Sequence, residues 1–198
     1  MATLSYIKII KDKHLLRLGI TEGEECAAYT VSETLYREVG SPTRGAELDS
    51  ETFECIRRAD SYYRAKRKAL SLLGYADNTE YAMIGKLRRA GYSREVAEEV
   101  CREMVSLGYI NEEASCERLI LIAANDNLYG PDKIFGRLVQ KGYSTALVRR
   151  ILARLCESGE IDFAANARKL TLRKLGEEAS ADARRALLYK YGYKLRVD

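Results

Sequence analysis

The feature that most constrains this chain is a phrase it writes three times at nearly constant spacing. The stretch from Lys86 to Ser93, K-L-R-R-A-G-Y-S, returns 51 residues later as R-L-V-Q-K-G-Y-S, from Arg137 to Ser144. A third, approximate copy, L-L-Y-K-Y-G-Y, runs from Leu187 to Tyr193, 50 residues after the second. Other positions keep the same step. Asp60, Asn111 and Asp162 are 51 apart, and each is a residue type that caps a helix N-terminus. Ile110 and Ile161 precede the last two of them. A fixed period near 50 with a whole supersecondary unit inside it marks a tandem array whose units stack on their neighbours. Each unit reads as helix, turn, helix, Gly-Tyr-Ser turn, helix, Gly.

The apolar positions inside the period agree. Met83, Ile84 and Leu87 in the second helix correspond to Ile134, Phe135 and Leu138. Val96, Val100 and Met104 in the third correspond to Leu147, Ile151 and Leu155, at i, i+4 and i+8. Such stripes are the core of a three-helix bundle. The phrase itself reads as a structural hinge. Gly91 and Gly142 suit the left-handed position that ends a helix. Tyr92 and Tyr143 follow, where an apolar body folds back, and Ser93 and Ser144 cap the next helix. Gly130 and Pro131 suit a cap and first helical position, because the proline's missing N–H would be unpaired there.

The first 60 residues differ in character. L-S-Y-I-K-I-I (4–10), H-L-L-R-L-G-I (14–20) and C-A-A-Y-T-V (26–31) read as three short strands, the first two joined by Lys11-Asp12-Lys13. Ser32 is expected to cap a helix ending at Gly40, residues 41–45 to form a loop, and Asp49 to cap a further helix. The expected fold is mainly α: tandem three-helix-bundle repeats forming an elongated array behind a small N-terminal β-rich subdomain. The expected divisions are 1–59 for the β-rich subdomain, then repeats at 60–110, 111–161 and 162–198. The last repeat lacks a third helix, since only Lys194-Leu195-Arg196-Val197-Asp198 follow its hinge.

Most chemistry is excluded by what the chain lacks. Five cysteines, an odd number, contain no C-x-x-C, so neither a disulfide framework nor a zinc site is expected, and buried free thiols are. The single His14 would have to serve any Ser-His or Cys-His machinery, and it is expected to be structural. Pairs such as Glu98-Glu99 and Glu112-Glu113 do not face each other on a helix. No G-x-x-x-x-G-K-[ST] phosphate loop occurs. The chain is expected to be no enzyme, to need no cofactor or metal, and to act as a cytoplasmic monomer. Charges interrupt every apolar run before it is long enough to span a membrane.

What remains is a charge gradient. Residues 1–60 carry net −3, residues 61–164 net +2, and residues 165–198 net +5. Lys133, Arg137 and Lys141 recur at i, i+4 and i+8 on one helix face; Arg150 and Arg154 do so on the next helix, with Arg149 beside them. Arg168, Lys169, Arg173 and Lys174 form a third stripe. Arg64 and Arg67, with Lys66, Lys68, Tyr62 and Tyr63, form a smaller cluster in the first repeat. Such an excess favours a polyanion or an acidic protein surface.

The run Tyr129-Gly130-Pro131-Asp132-Lys133-Ile134, with Leu138, Lys141 and Gly142 following, resembles the middle-repeat signature of the RecX regulators of the RecA recombinase. The K-L-x-x-x-G-Y stretch and L-G-Y-I-N-E-E (107–113) resemble that family's first repeat. The likeness covers about residues 60–193. Where family members carry basic residues before the Gly-Pro, this chain has Asn125-Asp126-Asn127. The resemblance implies a regulator that binds the RecA–DNA filament and mainly inhibits its ATPase, strand-exchange and co-protease activities, with the basic stripes as contact surface. It implies at most weak binding to single- or double-stranded DNA. The alternative is a helix-turn-helix-like protein acting directly on DNA, and a plain helical scaffold for an unrelated partner is a third reading.

Overall fold

The computed structural model describes residues 2–10 and 14–194. Local capping chemistry sets most of its elements. Strands β1 (Ala2–Ile10), β2 (Leu15–Glu22) and β3 (Glu25–Ser32) are followed by helix α1 (Glu33–Glu38), whose N-terminus Ser32 caps by accepting from the Leu35 N–H. A two-residue strand, β4 (Glu47–Leu48), pairs with the start of β1, so the sheet has four strands in the order β3-β2-β1-β4. The sequence alone did not announce β4, because two residues show no periodicity. The turn expected at Lys11-Asp12-Lys13 lies outside the described residues, as does the chain after Lys194. His14 sits in a left-handed conformation just before β2 rather than within the strand, exposed, 3.7 Å from Glu33.

Leu16, Leu18 and Ile20 alternate along β2 and are buried with Leu4, Val31, Phe53 and Ile56. The last two belong to helix α2 (Ser50–Tyr75), capped by Asp49, which accepts from the Thr52 N–H at 2.7 Å. This helix overturns one expectation. Asp60 caps nothing: α2 runs unbroken through it, because no Gly or Pro lies between Gly45 and Gly74. Asp60 is instead buried, accepting from the Thr30 N–H at 2.8 Å and pairing with Arg64 Nε at 2.9 Å, which ties α2 to β3. Its periodic counterparts do cap: Asn111 accepts from Ala114 N–H, and Asp162 from Ala165 N–H.

The remaining helices keep the period. Helices α3 (Glu80–Arg89), α6 (Pro131–Gln140) and α9 (Ala181–Lys190) start and stop at offsets of 51 and 50. Helices α4 (Arg94–Ser106) and α7 (Thr145–Glu157) are offset by 51 at both ends. Helices α5 (Glu112–Leu121), extended by a π-turn at Ile122–Asp126, and α8 (Phe163–Leu175) open the second and third repeats. The chain forms two compact units, residues 1–76 with 83–106 and residues 77–82 with 107–198. In the first, Met83, Leu87, Val96, Val100 and Met104 are buried; in the second, Ile134, Leu138, Val148, Ile151 and Leu155 form one core. Leu147, expected in that stripe, is half-buried and Val148 takes the buried place.

The hinges are built as the spacing predicts. Tyr92, Tyr143 and Tyr193 each donate a backbone N–H five residues back, to Leu87, Leu138 and Leu188, closing the helix end around Gly91, Gly142 and Gly192 in the left-handed region. Ser93 and Ser144 then cap α4 and α7. The tyrosines also anchor what precedes them. The buried Tyr143 hydroxyl donates to Ser115 Oγ at 2.9 Å, and that of Tyr193 to the Leu128 carbonyl at 3.2 Å.

Two hinges carry a further contact. Thr79, which caps α3, donates its hydroxyl to the Lys141 carbonyl at 3.1 Å. One period on, Gly130 N–H donates to the Tyr191 carbonyl at 2.8 Å and Asp132 N–H to that of Gly192 at 3.2 Å. The N-terminus of one repeat's second helix therefore docks on the hinge of the next repeat. A Cβ at Gly130 would lie 2.6 Å from Tyr193 N, so this glycine serves close backbone approach more than capping.

Candidate partner-binding surface

The helices distribute the predicted cations into three different situations. On α6, Lys133 and Arg137 share a face built on Tyr129. Lys133 Nζ lies 4.3 Å from the Tyr129 ring centre and 4.8 Å from that of Tyr191, and Arg137 Cζ lies 5.0 Å from Tyr129. These are cation–π contacts that hold the side chains against the fold while leaving charge at the surface. Arg137 and the exposed Lys141 line a cavity of about 170 Å³ with Tyr129, Asn127 and Ile134. The i, i+4, i+8 stripe is thus brought together.

On α7 the stripe divides. Arg149 turns onto the Phe135 ring, 5.3 Å away. Arg150 and Arg154 instead cross to α5, pairing with Glu113 at 3.1 Å and Glu117 at 2.6 Å. The hydrogen bond and charge of Glu117 raise the Arg154 pKa above its ordinary value. These two arginines are partnered within the fold rather than left open.

The first unit carries a ladder of the same kind, with one rung at the equivalent positions and its charges exchanged. Lys66 on α2 pairs with Glu103 on α4 at 2.6 Å, Tyr62 donates its hydroxyl to Glu103, and Arg58 pairs with Glu99 at 3.2 Å. Adding one period to 66 and 103 gives 117 and 154. Burial works to raise the Glu103 pKa, yet the bonds from Lys66 and Tyr62 outweigh it and hold the carboxyl below its ordinary value. Arg64 is likewise engaged, by Asp60 and the Ala28 carbonyl, whereas Arg67 is exposed with no ion pair among the described residues.

Helix α8 is the open surface. Arg168, Lys169, Arg173 and Lys174 are all exposed, with no ion pair among the described residues, and the helix carries no acid. Leu172 is 56% and Leu175 38% exposed between them. Sequence reasoning missed these leucines, although the signal was present. The buried side of α8 follows Phe163, Ala167 and Leu170, and Leu172 falls outside that stripe. A basic face with exposed leucines suits an acidic protein surface better than a bare polyanion.

No group of three metal-ligating side chains occurs among the described residues. Cys26, Cys55 and Cys156 are exposed, contrary to the expectation of buried thiols, while Cys101 and Cys116 are buried. Cys26 on β3 and Cys55 on α2 precede the repeats, and Cys156 falls outside the apolar stripe of α7. No helix among the described residues is long and apolar enough to cross a membrane. A cavity of about 510 Å³ between β3, α1 and α2, lined by Leu35, Cys55, Ala59, Tyr62 and Tyr63, was not foreseen. It arises from elements distant in sequence.

Sheet, capped hinges and period-51 helices define a tandem three-helix-repeat protein with one exposed basic helix, α8. Comparison with known proteins shows what that class resembles. The profile described as "RecX, first three-helix domain" matches residues 65–104. "Regulatory protein RecX" of Streptococcus uberis is 23% identical over 180 residues, covering 91% of this chain and 66% of that protein. Its counterpart in Lactobacillus johnsonii is 26% identical over 122 residues, covering 62% and 45%. The chain thus spans between about half and two thirds of the length of the curated relatives it matches. A solved structure described as "Crystal structure of regulatory protein RecX" superposes with a TM-score of 0.69 at 22% identity, covering 98% of this chain and 95% of that one. RecX from Lactobacillus salivarius gives 0.57 at 21% identity, covering 69% and 90%. The chain is therefore similar to RecX regulatory proteins in the sequence of its first helical repeat and in its fold.

Proposed function

We propose that this chain is a binding regulator rather than an enzyme, and that it engages the RecA–DNA filament and mainly inhibits recombinase ATPase, strand exchange and co-protease activity. The observation that carries the reading is α8, where four exposed cations and two exposed leucines have no acidic counterpart on the helix. The name shared by the relatives supports a regulatory role, and the resemblance of the hinge and Gly-Pro motifs supports the choice of recombinase. Repetition suits a repetitive partner, because each weakly binding module raises the effective concentration of the next.

Direct readout of DNA is supported less well. In a helix-turn-helix unit the helix after the hinge enters the groove. Here Glu99 and Glu103 of α4 are bound to Arg58 and Lys66, with Glu95 exposed beside them, and on α7 two of three arginines are bound to glutamates. Such faces repel phosphates or have no charge to spare for them.

The test is inhibition of RecA ATPase on single-stranded DNA by the native chain and by Arg168→Glu/Lys169→Glu/Arg173→Glu/Lys174→Glu. Inhibition by the variant is expected to weaken at least about tenfold, since several pair contacts are reversed at once, with an unchanged melting curve. Native-level inhibition would overturn the assignment of α8. Tight gel-shift binding to free DNA that falls steeply with salt, with no effect on RecA, would favour the DNA reading instead.

A further inference from the structure

The hinge occurs three times but is filled only twice. At Gly142 the occupant is the N-terminus of α3, with Thr79 donating to the Lys141 carbonyl; at Gly192 it is the N-terminus of α6, with Gly130 and Asp132 donating to the carbonyls of Tyr191 and Gly192. Thr79 and Gly130 are one period apart. Neither filled hinge has room for a side chain: a Cβ at Gly142 would lie 2.7 Å from Thr79 Oγ, and one at Gly192 would lie 2.5 Å from Lys133 N. Gly91 has the same backbone, φ +93° against +98° and +85°, and the same helix-closing bonds. Yet nothing among the described residues lies within 4 Å of a Cβ built there, and Ala90 and Gly91 are exposed.

We propose that the Gly91 hinge is an open docking face that receives the N-terminus of α9 from a second copy of this chain, giving head-to-tail association. Ser180 stands one period after Gly130 and two after Thr79. It caps α9 by accepting from Ala183 N–H, as Thr79 caps α3 by accepting from Ala82 N–H. Its O–H has no acceptor among the described residues and is exposed, so it is free to donate to the Ala90 carbonyl as Thr79 does to Lys141. Small residues at 181 and 183 permit the close approach that the filled junctions make.

Charge selects the same pairing. Arg88 and Arg89 are exposed beside Gly91, and Glu177, Glu178 and Asp182 are exposed around Ser180. The C-terminal end of α3 and the N-terminal end of α9 also bring opposite helix-dipole ends together. Acceptor and donor lie on different parts of the chain, so the contact is heterologous and continues from copy to copy instead of closing as a dimer. One such junction is small, so association is weak and emerges only in concentrated solution, where the expectation of a monomer gives way.

Sedimentation equilibrium at low salt over rising concentration tests this with the native chain, Gly91→Ala and Gly108→Ala. Gly108 is the matched control, with φ +74° and nothing within 4 Å of a Cβ, so it carries the backbone strain without touching the hinge. The native chain and Gly108→Ala are expected to grow past dimer mass with concentration, and Gly91→Ala to stay monomeric. A native chain that stays monomeric throughout overturns the proposal, as does equal behaviour of the two variants. Charge reversal tests it without strain. Arg88→Glu/Arg89→Glu and Glu177→Arg/Glu178→Arg/Asp182→Arg should each associate poorly alone and regain native association when mixed. Failure of the mixture to do so assigns the contact elsewhere and sinks the proposal.

Discussion

Single atoms decide the hinges. At Gly142 a methyl group would meet Thr79 Oγ at 2.7 Å and the Tyr81 ring at 3.0 Å, in a left-handed backbone that already disfavours a side chain. Gly142→Ala should therefore cost about 2–4 kcal/mol, combining conformational strain with overpacking. Gly108→Ala carries the strain alone and should cost about 1–2 kcal/mol. Denaturant titrations of the two variants measure the difference. The tyrosine after each hinge gives a second test. Burial raises the Tyr143 pKa and pushes that of Tyr193 up to about 12. The folded state holds these protons more tightly than the unfolded chain, whose tyrosines titrate near 10. Their contribution is complete below pH 10 and is lost as pH rises toward 12. The melting midpoint should fall across that window, and Tyr193→Phe should make the fall shallower.

Helices of similar shape repeated in one chain face a pairing problem, since tandem units misassemble when they exchange elements. The salt-bridge ladders answer it. Native pairing sets Lys66 against Glu103 and Glu117 against Arg154. Exchanged pairing would set Lys66 against Arg154 and Glu117 against Glu103, like against like in both cases. Lys66→Glu or Glu103→Arg alone should each cost about 1 kcal/mol or somewhat more, as a half-buried pair is lost and a repulsion gained. The double variant Lys66→Glu/Glu103→Arg should recover most of the melting temperature. It would also copy the polarity of the second ladder, so its refolding yield after denaturation should drop below native. A yield equal to native would leave the ladders as ordinary surface pairs.

Over the whole molecule, a partner meets the charge that the fold has not already used. Reversing Arg150 and Arg154 removes two bridges between α5 and α7 and places four acids together, so the melting midpoint should fall by roughly 4–8 °C, about 2 kcal/mol at this chain length. Reversing the four cations of α8 should leave melting unchanged while weakening the recombinase inhibition proposed for this chain. Calorimetry beside the ATPase assay separates the two. If the α7 variant melts like the native chain, its arginines are free, and they return to the candidate surface.

What the sequence determined by itself was everything set by neighbours in the chain: the 51-residue step, the glycines that end helices, Ser32, Asp49, Asn111, Ser144 and Asp162 as caps, and the apolar stripes. Capping and periodicity act within a few residues, so they can be read without coordinates. Asp60 shows where that reading stops. Its residue type and position match the caps one and two periods on, but α2 had already started at Ser50, and burial beneath Thr30 and Arg64 gave it another task. Tertiary structure alone decided which cations are free, because Glu113 and Glu117 reach Arg150 and Arg154 across 37 residues, whereas nothing described reaches those of α8. It also decided why Gly130, Gly142 and Gly192 must be glycine. The local reason is a turn or a cap; the remaining one is a neighbouring repeat's backbone, brought within a methyl group's distance by packing that no short stretch of sequence encodes.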